Sequence, residues 1–131
     1  MRSELYWLTL TCLMTALMWV PYVLNRIAVR GLMPALGYEG PDSKPHSPWA
    51  ARAMSAHKNA VENIGVFAAL VLTAHALGIS GGATATAAAV FFVARLVHYV
   101  VYVAAVPVVR TLAFAVSWVC MIVFALAILG L

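Results

Sequence analysis

Four runs of apolar residues, 5–24, 50–77, 83–106 and 111–131, occupy most of this chain and limit what it can fold into. Each is long enough to cross or nearly cross a hydrocarbon layer, which takes about 20 residues of α-helix. A bilayer offers no partners to backbone amides, so such a chain satisfies them within its own helices. With 65% hydrophobic and 9% charged residues over 131 positions, little remains for a soluble domain. The expected fold is therefore all-α, a single integral membrane four-helix bundle over residues 1–131. Its helices are expected over about 5–29, 48–77, 83–105 and 108–130 once flanking capping residues are included. Pro21 and Tyr22 close the first run in place of a small-residue cleavage site, so it reads as a span rather than a leader. The connector 25–49 holds Gly31, Pro34, Gly37, Gly40, Pro41, Pro45 and Pro48 and reads as an irregular surface loop, with Ser47 and Pro48 resembling a helix start.

Positive charge sets the orientation. Arg26, Arg30, Lys44, Arg52 and Lys58 surround the first connector and Arg110 follows the third run, whereas the opposite side carries only Arg2, beside Glu4. The positive-inside rule places both termini outside and these residues at the cytoplasmic face. The formal charge of +4 is this topology signal and implies no nucleic-acid partner. Cys12 and Cys120 both lie inside apolar runs, form no redox or metal spacing, and no metal site is expected.

Polar residues inside such runs carry the functional signal, because an ionisable group at the middle of a spanning helix costs about 2.5–3.5 kcal/mol. The second run opens with AHKNAVEN, residues 56–63. At about 100° per residue, Arg52, Ser55, Asn59, Glu62 and Asn63 share one arc, with Lys58 at its edge and His57 on the far side. The third run contains ARLVHYVVY, residues 94–102, and there Arg95, His98 and Tyr102 fall within about 60° of arc. Antiparallel helices bring both stripes to the cytoplasmic half, together with Arg26, Arg30 and Arg110. Structural readings stand beside this one. Arg52 and Lys58 suit interfacial anchors, Glu62 an ion pair with Arg95 or Arg52, and Tyr99 and Tyr102 an aromatic belt. His57 and His75 read as structural, and His46 lies in the loop. Taken together, long cations, amides, a carboxylate and phenols lack metal-ligand spacing and suit a small polyanion that also bears an ammonium.

A four-span chain with AHKNAVEN opening helix two, ARLVHYVVY in helix three and PVVRT leading into helix four resembles the MAPEG superfamily, membrane-associated proteins in eicosanoid and glutathione metabolism. The first connector is similar to that of bacterial members, which implies an inner-membrane location with the site on the cytoplasmic side. The resemblance implies a homotrimer that binds glutathione as cosubstrate between neighbouring subunits, and transferase or peroxidase chemistry on a lipophilic small molecule drawn from the membrane lipids. It carries glutathione binding to Lys58, Asn59 and Glu62, assigns His98 and Tyr102 to the same site, and gives thiolate stabilisation to Arg110. Arg30, Arg52 and Arg95 join them as binding candidates through the clustering of cations, and Arg26 and Arg30 both suit the basic position after helix one. Lys58 stands where eukaryotic members often have Arg, and Ser55 where some have another Arg. The superfamily also has non-catalytic members that bind a lipid or an accessory partner. Loss of the helix-four arginine or of the helix-two polar set would mark one, and both are present here. A small multidrug exporter needs a carboxylate within helix one, and residues 5–24 contain none.

Overall fold

The computed structural model describes residues 1–131 and is helical throughout, with no strands. The first span consists of α1 (Ser3–Leu17) and α2 (Trp19–Arg30), which meet at Met18. Pro21 explains the joint: it has no N–H to give the Leu17 carbonyl one turn back, and its ring crowds that turn. Tyr99 compensates by donating its hydroxyl to the Met18 carbonyl at 3.0 Å, so this phenol ties the third span to the bend. Gly31 ends α2 at φ +84°, a conformation that penalises any side chain.

A short helix α3 (Leu32–Leu36) follows, so the connector is less irregular than its Gly and Pro content suggests. The long helices α4 (Pro48–Ala76), α5 (Gly82–Val103) and α6 (Pro107–Leu129) complete four spans long and apolar enough to cross a membrane. Pro48 opens α4 as expected. Ser47 occupies the capping position, yet its side chain accepts from Asn25 Nδ2 at 2.8 Å while its N–H donates to Asn25 Oδ1 at 3.1 Å. Buried Asn25 thereby latches α2 to the start of α4.

Helices α4 and α5 form the centre, with α1 packed against both on one side and α6 against both on the other. Small residues allow the close approach: Ala50, Ala53, Ala56 and Ala60 repeat along the buried face of α4, and Ala87, Ala88 and Ala94 along α5. In the half of the bundle that holds both chain termini Phe67 and Phe91 stack with centroids 3.7 Å apart, and Phe124 meets Phe67 edge-on at 5.8 Å. Glu4, buried at the same end, accepts from Ser80 at 2.9 Å and Thr84 at 2.6 Å, which pins the start of α1 to the α4–α5 turn. Most of each spanning segment faces outward, with no more than 33% of its residues buried within one chain.

Candidate functional site

The expected site residues do gather at the end of the bundle opposite Glu4, but they divide into three groups. The inner group lies between α4, α5 and α6. Arg95, 2% exposed, donates from Nη2 to Asn59 Oδ1 at 2.6 Å, and Asn63 braces Asn59 by donating to its carbonyl at 2.7 Å. The alternative reading of Glu62 as a structural ion pair with Arg95 or Arg52 is not met within the chain, because an amide rather than a carboxylate meets Arg95. One turn beyond Arg95 on α5, His98 is also buried, and its ring stands 5.5 Å from Tyr102, edge to face. The Arg110 guanidinium lies over the Tyr102 ring, 4.7 Å from its centroid.

The α5–α6 turn sets that last contact. Ala105 takes φ +62°, and the N–H groups of Ala105 and Val106 return to the carbonyls of Tyr102 and Val101, closing α5 in three residues. Pro107 then starts α6, which brings Arg110 back within one turn of its start and level with Tyr102. Arg52 secures the same corner by donating from Nε to the Val103 carbonyl at 2.9 Å, satisfying one of the terminal acceptors of α5.

Lys58 and Glu62 form an outward group. Both are exposed and line a hollow of about 570 Å³ with Tyr22, Met54, Ser55, His57 and Val61. The polar stripe on α4 thus has two edges: Arg52, Asn59 and Asn63 turn toward α5, whereas Ser55, Lys58 and Glu62 face away from the chain. His57 behaves as a structural residue, its Nδ1 2.8 Å from the Tyr22 hydroxyl across α2 and α4.

Arg30 belongs to a third group. It donates from Nε to the Lys44 carbonyl at 2.7 Å and pairs through Nη2 with Glu39 at 2.9 Å, so it organises the first connector. Hydrogen bonding to Arg30 and its charge hold the Glu39 carboxyl below the usual range, while burial, with Arg26 and Arg30 nearby, pushes His46 down. A depressed carboxyl stabilises the fold above its ordinary pKa and loses that contribution as pH falls through the folded value; a depressed histidine costs stability once the unfolded form protonates. Both effects loosen the connector in acid. Hydrogen exchange over residues 37–47 is expected to be faster in Glu39→Gln than in wild type at pH 7. The two should converge once pH drops below the carboxylate range; a difference that persists there would mean that the ion pair is not the cause.

The Asn25–Ser47 latch, the Tyr22–His57 contact and the Glu4–Thr84 pair were not legible in the sequence, because each joins side chains far apart along the chain. Only the oddity of Asn25 and Glu4 beside apolar runs hints at them. Apolar grooves flank the polar groups. One, of about 390 Å³, runs between α5 and α6 from Val109 and Val97 to Val90 and Val116, beginning next to Arg110.

A family model described as MAPEG family matches residues 5–130. A comparison with curated proteins finds no match. Four apolar spans, the polar cluster at one end and a match over nearly the whole length lead to one conclusion: this integral, multi-pass membrane chain belongs to the MAPEG family, which includes glutathione transferases and peroxidases.

Proposed function

We propose that the chain is a glutathione-dependent transferase or peroxidase that acts on a lipophilic electrophile from the bilayer. The observation that carries this reading is Arg110, held over Tyr102 and following Val109, which lines an apolar groove between α5 and α6. Glutathione has two carboxylates, an ammonium and a thiol. Lys58 and a neighbouring arginine match the carboxylates, Glu62 the ammonium, and Asn59 the peptide groups. Arg95 reaches none of these directly and acts by fixing Asn59.

The outward direction of Lys58 and Glu62 supports a site shared between copies in a homotrimer, since a second chain on that face would complete it. Arg26, which lies near Tyr22 and Glu39, and Arg30, which is tied into the connector, remain the two basic candidates from α2. In the reaction, the thiol gives its proton to water and Arg110 holds the sulfur as thiolate. The sulfur forms a bond to the electrophilic carbon as that carbon's bond to its leaving group breaks and the leaving group departs with the bonding pair. With a hydroperoxide, it takes the terminal oxygen as the O–O bond breaks, and the alkoxide takes a proton from water. A second glutathione thiol then reduces the resulting sulfenic acid to disulfide and water. His98 and Tyr102 form the wall that positions the sulfur. The positive charge around the first connector and Arg110 supports a cytoplasmic location for this chemistry, and the resemblance of that connector to those of bacterial members supports an inner membrane.

Calorimetry on the detergent-solubilised protein tests the binding half of this account. Wild type is expected to bind glutathione, and Glu62→Gln to bind it about tenfold more weakly, the loss of one charge-assisted hydrogen bond. Equal affinities would remove Glu62 from the site, and no binding by wild type would remove glutathione.

A further inference from the structure

The first connector holds two opposite charges that the chain leaves unpaired. A hollow of about 420 Å³ lies there, with Arg30, Tyr38, Asp42, Ser43 and Lys44 among its lining residues. Glu39 pairs with Arg30 and lies 4.0 Å from His46, whereas Asp42 and Lys44 are exposed and form no ion pair, either with each other or with another residue. Both stand on fixed backbone. Asp42 sits in a turn closed twice, the Ser43 N–H donating to the Gly40 carbonyl at 3.1 Å and the Gly40 N–H to Ser43 Oγ at 2.9 Å. Arg30 Nε holds the Lys44 carbonyl at 2.7 Å. An anion and a cation so placed around one hollow match a ligand that carries both signs.

The level of the hollow selects that ligand. Arg30 ends the first span and Pro48 opens the second, so residues 31–47 run along the membrane edge. Leu32, Met33 and Leu36 of α3 are 57%, 75% and 70% exposed there, and Tyr38, which lines the hollow, is fully exposed. Apolar side chains at that level enter the boundary between headgroups and acyl chains, which tyrosine also favours. We propose that the hollow binds the headgroup of a phospholipid bearing a primary ammonium, of the phosphatidylethanolamine class, with α3 laid into the leaflet beside it. Lys44 donates to the phosphate and Asp42 accepts from the ammonium, while Arg30, spent on the Lys44 carbonyl and Glu39, forms the wall. A purely anionic headgroup would set its charge against Asp42, and a choline headgroup has no N–H to offer it. Nothing in this site depends on glutathione being the cosubstrate.

Native mass spectrometry of the full-length protein, released from detergent with equal amounts of dioleoyl phosphatidylethanolamine, phosphatidylcholine and phosphatidylglycerol, tests the site. Wild type is expected to retain the ethanolamine lipid about tenfold more than the choline lipid, the scale of one charge-assisted hydrogen bond. Asp42→Asn should lose that preference, and Lys44→Met should weaken retention of all three. Both residues are exposed, so neither variant should disturb the fold. Hydrogen exchange over residues 32–44 should also be slower in phosphatidylcholine nanodiscs to which the ethanolamine lipid is added than in phosphatidylcholine alone. Equal retention of the two lipids by wild type, a preference for the glycerol lipid, unchanged behaviour of either variant, or equal exchange rates would overturn the proposal. So would loss of the lipid on adding glutathione, since the hollow would then belong to the cosubstrate. Selective retention by protein that binds no glutathione would leave the lipid site in place and remove the proposed activity instead.

Discussion

Arg110→Ala is expected to lower the rate of conjugation or peroxide reduction at pH 7 by about 10²-fold, the scale set by removing one preorganised group that stabilises developing or resident negative charge. A free thiol titrates near about 8.5, so only about 3% is thiolate at pH 7. Each unit by which the guanidinium lowers that value is worth about 1.4 kcal/mol of thiolate stabilisation. The variant loses the guanidinium and a cation–π contact of about 0.5–1 kcal/mol with Tyr102, too little to unfold the bundle. Its pH–rate profile should therefore rise through the pKa of free glutathione, whereas the wild-type profile should rise well below it. Kinetics with a lipophilic electrophile between pH 6 and 10 reads both effects. An unchanged profile in Arg110→Ala would place the thiolate elsewhere.

The second large effect lies in the packing that holds the site in place. Phe67→Ala should cost about 3–5 kcal/mol, because Phe67 is fully buried between Phe91 and Phe124, and truncation leaves a cavity that its rigid aromatic neighbours cannot fill. Leu72→Ala, on the half-exposed face of the same helix, should change stability by no more than about 0.5 kcal/mol. Thermal midpoints in detergent give the comparison. Similar losses for both variants would mean that the aromatic stack does not hold α4, α5 and α6 together.

The spans and the end of the bundle that carries the polar residues were legible because bilayer thickness and helical periodicity act on every residue of a run. The family was legible in AHKNAVEN, ARLVHYVVY and PVVRT. The wheel correctly put Arg52, Asn59 and Glu62 on one arc, yet an arc of that width meets a neighbouring helix at one edge and the surrounding membrane or a second chain at the other. Asn59 therefore reaches Arg95 while Glu62 does not. Nor could spacing show that Arg30 turns back to Glu39, since that contact depends on how α3 folds the connector. The packing of α1 through α6 in space decides such contacts, and one-dimensional pattern carries no record of it.

The account makes Arg110 the holder of a glutathione thiolate, and ultraviolet absorbance on mixing tests that most directly. Stopped-flow addition of glutathione to the detergent-solubilised wild-type protein at pH 7 should produce a saturable rise in the thiolate band that Arg110→Ala lacks. A wild-type trace that stays flat while glutathione is bound, or one that rises equally in Arg110→Ala, would contradict it.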